Sequence, residues 1–317
     1  SYGEVLRRFF HVLSKPKFDE KALEKIRTIL IDAYQRSKDS PKDVAVRLLR
    51  NTVYADHPFE WTFDEAIKKL SSLSEDDLKK IHEEYVSPSR MVVSISGDFD
   101  LDDMQASLEK ATDKWDGNEY KPIELPESKF KSKIEIDKEM LRDQAVLILG
   151  QPSSVTVAHP DVVSLKMLSF IAFYPSGSRL YELRERTGLF YVAGGALAQN
   201  LSKEHGFDYV IALLNIENLA KAETGIKDIL KKLAKDGVTD QELSDARQWY
   251  LKKLLDATSS NAAKAQIFGW EEEMGVGFGY YDELLKKANT ITLKEINEVA
   301  SKYFDTSKLA RIRVGRV

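Results

Sequence analysis

The patterning of this 317-residue chain predicts an α+β fold. Three observations carry that expectation. Residues 1 to about 88 place apolar side chains at helical spacing in one segment after another. Beyond about residue 130, short β-branched and aromatic runs are mixed with long helical stretches. The helix-then-strand pattern before Gly97 also recurs before Gly315.

The elements follow in order. Val5, Phe9, Val12 and Leu13 mark a first amphipathic helix. A second opens at Phe18-Asp19-Glu20 and runs through Leu23, Ile26, Ile29 and Leu30. Ser40 followed by Pro41 reads as a cap and a first-turn proline, starting a helix with Val44, Val46, Leu48 and Leu49. His57-Pro58-Phe59 is a break, with His57 read as a turn histidine. Thr62 and Ser74 open two more helices, Ser74-x-x-Asp77 in a capping arrangement. Pro88 ends the helical stretch, Met91–Ile95 reads as a short strand, and a helix forms around Met104 and Leu108.

Asp116–Lys129, rich in Pro, Gly and charge, reads as a linker. After it come strands at Lys133–Ile136 and Gln144–Gly150, then a helix at Pro160–Phe173. A strand at Phe207–Leu214 precedes helices at about 216–235, 239–257 and 260–272. A helix at 292–303 leads into a closing strand, Ala310–Val314.

Composition narrows the function classes. A net charge of -4 and no basic cluster with interleaved aromatics argue against nucleic acid as partner. There is no cysteine, so disulfides, thiolate metal sites and a Cys nucleophile are excluded. No apolar run approaches the ~18 residues of a membrane span.

The most informative stretch is Ser178–Gly195, SRLYELRERTGLFYVAGG. Ser178 can cap a short helix whose apolar stripe is Leu180, Tyr181 and Leu183. Gly188 suits the left-handed residue after its end. A strand follows, alternation placing Leu189, Tyr191 and Ala193 on one face and Phe190 and Val192 on the other. Arg184, at the helix end, then lies seven positions before the Tyr191 phenol.

The repeat has a definite register. At one offset, 315 − 97 = 218, Leu78 falls on Ile296, Ile81 on Val299, Tyr85 on Tyr303 and Ser89 on Ser307. Further back FDEKAL at Phe18 matches VTDQEL at Val238, and Ser40 falls near Ser259 or Ser260. The register is expected to run unbroken over ~80 residues, as in a duplicated domain. The second copy has about 90 residues, from Lys131, with no counterpart in the first. The expected organisation is therefore residues 1–125 as the rear part of one domain and 126–317 as a complete second one.

LRERTGLFY resembles the Leu-Arg-Glu-x-x-Gly-Leu-x-Tyr segment of the M16 (pitrilysin / mitochondrial processing peptidase) metallopeptidases. HPFEWTFDEAIKKLSSLSEDDLKKIHEEYVSPSRMVVSISGDFD is similar to that family's run of His-Pro-aromatic, helix, Tyr-x-x-Pro, apolar strand and Gly-Asp. The resemblance implies a LuxS/MPP-like metallohydrolase fold: a tandem repeat with helices on one face of a mixed, mostly antiparallel sheet. It also implies that Arg184 and Tyr191 bind substrate peptide near the scissile bond. Active members hold zinc through His-x-x-Glu-His and a later Glu. No two of His11, His57, His82, His159 and His205 lie within five positions of each other, so the motif is missing. The third-ligand position falls on Asp32, and a second family Glu falls on Lys25. Asp32 is thus a degenerate ligand position at most, with no metal, cofactor or catalytic residue expected in this chain and zinc expected on a partner or a missing segment.

Three functions follow from the resemblance. One is a non-catalytic M16 subunit or fragment that binds extended peptide for a zinc-bearing partner, as a heteromer or homodimer. A second is part of an intact zinc endopeptidase whose motif lies upstream or on another chain. A third is a structural core-type subunit, which retention of Arg184 and Tyr191 weighs against. By family, the setting would be bacterial cytoplasm or periplasm, or the mitochondrial matrix.

Overall fold

The computed structural model describes residues 2–115, 117, 121 and 123–317. Its helices in the first part are α1 (Tyr2–Ser14), α2 (Glu20–Lys38), α3 (Pro41–Val53), α4 (Phe63–Ser72), α5 (Glu75–Tyr85) and α6 (Leu101–Thr112). Then come β1 (Glu135–Glu139), β2 (Gln144–Pro152), α7 (Val162–Phe173), α8 (Arg179–Thr187), β3 (Val192–Gln199) and β4 (Phe207–Asn215). The chain closes with α9 (Leu219–Asp236), α10 (Asp240–Ala257), α11 (Asn261–Met274), α12 (Tyr280–Thr290), α13 (Leu293–Tyr303) and β5 (Ala310–Gly315).

The five strands form one mixed sheet in the order β1-β5-β2-β4-β3, with β1 parallel to β5 and the other pairs antiparallel. Strand alternation sorts the two faces. Leu147, Leu149, Val210, Ala212 and Leu214 point into the large core under α7, α9, α10 and α13. Val146, Ile148, Ile312 and Val314 point the other way and are covered by Ala45, Leu49 and Val53 of α3. α3 comes so close that a Cβ on Gly150 would lie 2.6 Å from the Leu49 side chain. α7, VVSLKMLSFIAF, buries nine of its residues, as a helix apolar all round must.

The α+β architecture with a helical layer on a mostly antiparallel sheet is as expected, and the capping signals are real. Ser40, Thr62, Ser74, Thr239 and Thr292 each accept a hydrogen bond from the third residue of their helices. Several local expectations are corrected. Met91–Ile95 forms no strand: it leaves a 3-10 turn at Pro88–Arg90 unpaired, with Val92 and Val93 exposed. A strand needs a neighbour for its amides and carbonyls, and none lies beside it among the described residues. In α1 it is Phe10, edge-on to Trp115, that is buried, while Val5, Phe9 and Val12 are exposed. The first strand begins at Glu135 because Lys133 takes a left-handed φ of 62°. The unforeseen helix α12 starts at Gly279 without a side-chain cap of its own.

The repeat register is also not unbroken. The caps Asp19 and Ser40 match Thr239 and Ser260 at 260 − 40 = 220, whereas Ser74 matches Thr292 at 292 − 74 = 218. Two residues are lost between α11 and α13. The linker expected at Asp116–Lys129 lies in part (116, 118–120, 122) outside the described residues. Its described end is tied down: Ser128 Oγ donates to the Val53 carbonyl and the Lys129 amide to Ala55 O, 2.9 Å away.

Candidate functional site

The segment that carries Arg184 and Tyr191 is held at both ends by local chemistry. Ser178 Oγ accepts from the Tyr181 amide at 3.1 Å and donates to Tyr174 O at 2.6 Å. Arg179 grips both oxygens of Glu242, at 2.7 and 2.9 Å, and the Gly237 carbonyl at 2.8 Å, fixing α8 to the α9–α10 turn. Leu183 packs against α9 where Gly225 has no side chain; a Cβ there would sit 2.8 Å from it. Gly188, at φ 60°, closes the helix with its amide on Arg184 O at 2.8 Å.

The strand after it differs from simple alternation. Phe190 is buried, Tyr191 and Val192 are both exposed, and β3 starts only at Val192. The Tyr191 amide donates to Leu213 O, and Val192 also faces Leu213. Two residues against one is a bulge, which re-aims the side chains around it. As a result Arg184 and Tyr191 line one shallow cavity of about 190 Å³, with Tyr174, Pro175, Tyr181 and Val192. The Arg184 guanidinium has only a marginal contact, 3.4 Å to its neighbour Glu185. The Tyr191 hydroxyl donates to Asn215 Oδ1 at 2.7 Å. Asn215, the last residue of β4, was invisible to sequence reasoning, because antiparallel register alone brings it there. The cavity offers cationic and phenolic hydrogen bonding beside an aromatic wall. No carboxylate or imidazole lines it.

Behind β3, Lys166 and Asp208 both bind the backbone of Ala198, an arrangement with no local signal in the sequence. Lys166 Nζ donates to Ala198 O at 2.6 Å, and Asp208 Oδ1 accepts from the Ala198 amide at 2.8 Å. Ala198 has a left-handed φ of 51° and sits in a second irregularity, between Ala196 and Gln199. The two side chains therefore hold a left-handed turn of the strand through its carbonyl and its amide. Burial pushes the Asp208 carboxyl up to about 6, against the pull of its hydrogen bonds to Ala198, Gln151 and Ser153. Burial, with help from Lys253, pushes Lys166 down to about 8.

A larger cavity, about 660 Å³, lies elsewhere, between α3, the linker end and the 204–206 turn. Two of its polar groups are engaged: the Tyr54 hydroxyl reaches His205 O at 3.4 Å, and Tyr303 donates to Asp161 at 2.8 Å. It reads as the seam where the linker packs.

The residues present do not fit a zinc ion. Asp32 and Lys25 both lie exposed on α2. Among the described residues no group of three or more His, Asp or Glu could hold a metal. Three imidazoles are engaged by backbone: His57 Nδ1 accepts from Phe59, His159 Nδ1 from Asp161, and His82 Nε2 meets Leu13 O. No described helix is long and apolar enough to cross a membrane.

The fold carries a shallow cavity lined by Arg184 and Tyr191 and, among the described residues, no group of metal ligands. Residues 72–249 match the family described as the peptidase M16 inactive domain, and the chain belongs to that family. It is 25% identical over 311 residues to the non-peptidase homolog YmxG of Helicobacter pylori, covering 96% of this chain and 70% of that protein. It is 24% identical over 300 residues to the uncharacterized zinc protease YmxG of Bacillus subtilis, covering 93% of this chain and 70% of that one. The crystal structure of a peptidase M16 inactive domain from Pseudomonas fluorescens superposes with a TM-score of 0.85 at 21% identity, covering 99% of this chain and 74% of that one.

Proposed function

We propose that this chain is a non-catalytic M16 component of two units, residues 1–125 and 126–317, that binds extended peptide for a zinc-bearing partner. The observation that carries this is the shared cavity of Arg184 and Tyr191, with the guanidinium nearly unpaired. A cation held at a helix end, with donors to spare, suits peptide carbonyls, and Tyr191 can turn its hydroxyl from Asn215 to a second one. The relative named a non-peptidase homolog supports the non-catalytic part of the reading. The expected outcome is that Arg184→Ala or Tyr191→Phe lowers peptide turnover about tenfold, or about 1.4 kcal/mol, in a peptidase reconstituted with a zinc-bearing M16 chain. Unchanged cleavage with both variants would remove the pair from this role.

A second reading, in which the zinc motif belongs to a further segment of the same protein, is favoured by one surface. The residues of α10 and α13 buried around α7 include Ala246, Tyr250, Val299 and Tyr303. Their counterparts Ile26, Leu30, Ile81 and Tyr85 are exposed, beside a groove of about 320 Å³ between α2, α4 and α5. An apolar helix like α7 would cover them, whether it comes from the partner or from upstream. A His-x-x-Glu-His codon run in frame before Ser1 supports this second reading, and its absence there supports the first.

A further inference from the structure

The cavity of about 660 Å³ between α3, the linker end and the 204–206 turn has a buried donor at its wall with nothing to bind. His57 is 7% exposed. Its Nδ1 accepts from the Phe59 amide at 3.1 Å, which leaves the ring proton on Nε2. Tyr54 and Phe59 hold the ring in place, with centroids 5.5 and 4.6 Å away. Nε2 has no hydrogen-bond partner among the described residues, although the ring lines the cavity. Buried donors normally find an acceptor. The turn at 57–59 uses only Nδ1, so the other nitrogen is left for something that enters the cavity.

The charges around this space do not balance. Lys302 is paired with Asp161 at 3.0 Å, and Lys308 with Asp305 at 3.6 Å. Glu127, on the linker end, and Glu204, on the turn, are both exposed, and neither carboxylate has an ion pair or hydrogen bond among the described residues. Arg50 lies near the Tyr54 hydroxyl but does not line the cavity. Two carboxylates without counter-ions therefore border a space that Tyr54, Phe130 and Tyr303 supply with aromatic walls. Aromatic faces attract cations, and a partly enclosed cleft concentrates the field of unpaired carboxylates.

We propose that this cavity binds a small organic cation, an ammonium or guanidinium compound that also carries a carbonyl oxygen. The carbonyl accepts from His57 Nε2–H, the cation lies toward Glu127 and Glu204, and the aromatic side chains cover the body between them. The volume is in the range of sites for small molecules. Simple anions are disfavoured, because both lysines at the cavity are already paired. The residues that line it are all different from those around Arg184, so the site is separate from the peptide site proposed above. Because the ligand touches both the linker end and the 204–206 turn, its binding fastens the one to the other.

The test is calorimetric titration of the whole chain with N-acetyl-L-arginine amide and with its uncharged isostere, N-acetyl-L-citrulline amide. The arginine compound is expected to bind at least tenfold tighter, with affinity falling as salt is raised. Glu127→Gln and Glu204→Gln, at exposed positions, are each expected to weaken it about fivefold with unchanged Tm. His57→Asn keeps an acceptor for the Phe59 amide but removes the Nε2 donor, and is expected to weaken both compounds alike. The glutamate variants keep the test decisive if His57→Asn fails to fold. Hydrogen exchange at 126–132 is expected to slow when the arginine compound is bound. Equal binding of the two compounds, unchanged affinity in both glutamate variants, or no binding at millimolar concentration would each overturn the proposal. A blocked pentapeptide with arginine among glycines that binds at least tenfold tighter than the amide would assign the cavity to a peptide side chain, and would overturn the small-molecule reading.

Discussion

Replacing Glu271 with alanine should destabilise the chain although the residue is far from the Arg184 cavity. Glu271 lies at the end of α11 and is fully buried, while Glu272 and Glu273 beside it are exposed. Its carboxylate accepts from the Tyr281 amide at 2.8 Å and the Gly279 amide at 3.2 Å. Those amides belong to the start of α12, whose own cap residue, Gly279, has no side chain to offer. Glu271 is therefore a cap supplied from another helix, with its negative charge at the positive end of α12. Removing it strands two partly buried amides at about 1–3 kcal/mol each, partly relieved by water entering the gap. The expected loss is about 3 kcal/mol, or roughly 5 °C in Tm for a chain of this length. Glu271→Gln keeps one accepting oxygen and should lose about half as much. Urea unfolding measures the loss, and hydrogen exchange at 279–281 reports its location. A change below about 1 kcal/mol with unchanged protection of those amides would refute the cap.

The two titratable groups on Ala198, Asp208 and Lys166, make stability depend on pH. Folding raises the Asp208 carboxyl from 3.8 to about 6, so between those values the folded chain holds the proton more tightly. Its contribution is favourable below about pH 4 and falls as pH rises to 6, by about 3 kcal/mol at 1.36 kcal/mol per unit. Lys166 works the other way: lowered from 10.5 to about 8, it adds stability as pH climbs through that range. Denaturation at pH 4 to 7 should show a shallower acid-side trend for Asp208→Asn than for the parent; parallel curves would exclude the assignment. Arg179→Ala should cost about 2 kcal/mol in urea unfolding, because it breaks a two-pronged ion pair, largely shielded from solvent, and leaves the Gly237 carbonyl without its donor. A loss under about 0.5 kcal/mol would mean that α8 is held by Leu180 and Leu183 alone.

Much of the candidate site could be read directly. Ser178, Gly188 and the Arg184–Tyr191 spacing are local signals, and the cap and left-handed glycine stand where the pattern puts them. What could not be read depends on contacts distant in sequence. Asn215 reaches Tyr191 only through the β3–β4 register, and Asp208 and Lys166 reach Ala198 only from β4 and α7. α12 was missed because its cap comes from eight to ten residues back in another helix instead of from the preceding side chain.

The amino-acid order by itself determined where most helices start and stop, since a cap, a proline or a glycine acts within one turn of chain. It also determined the strands that are hydrophobic enough to be buried, and the lack of clustered metal ligands. Only the tertiary structure decided which apolar faces are covered. Phe10 is buried and Phe9 exposed, and Leu243 is buried while Ile26 stays open, although all fit their helical patterns equally well. Periodicity names a face, but burial needs a second surface brought against it, and for Met91–Ile95 no partner strand arrives among the described residues.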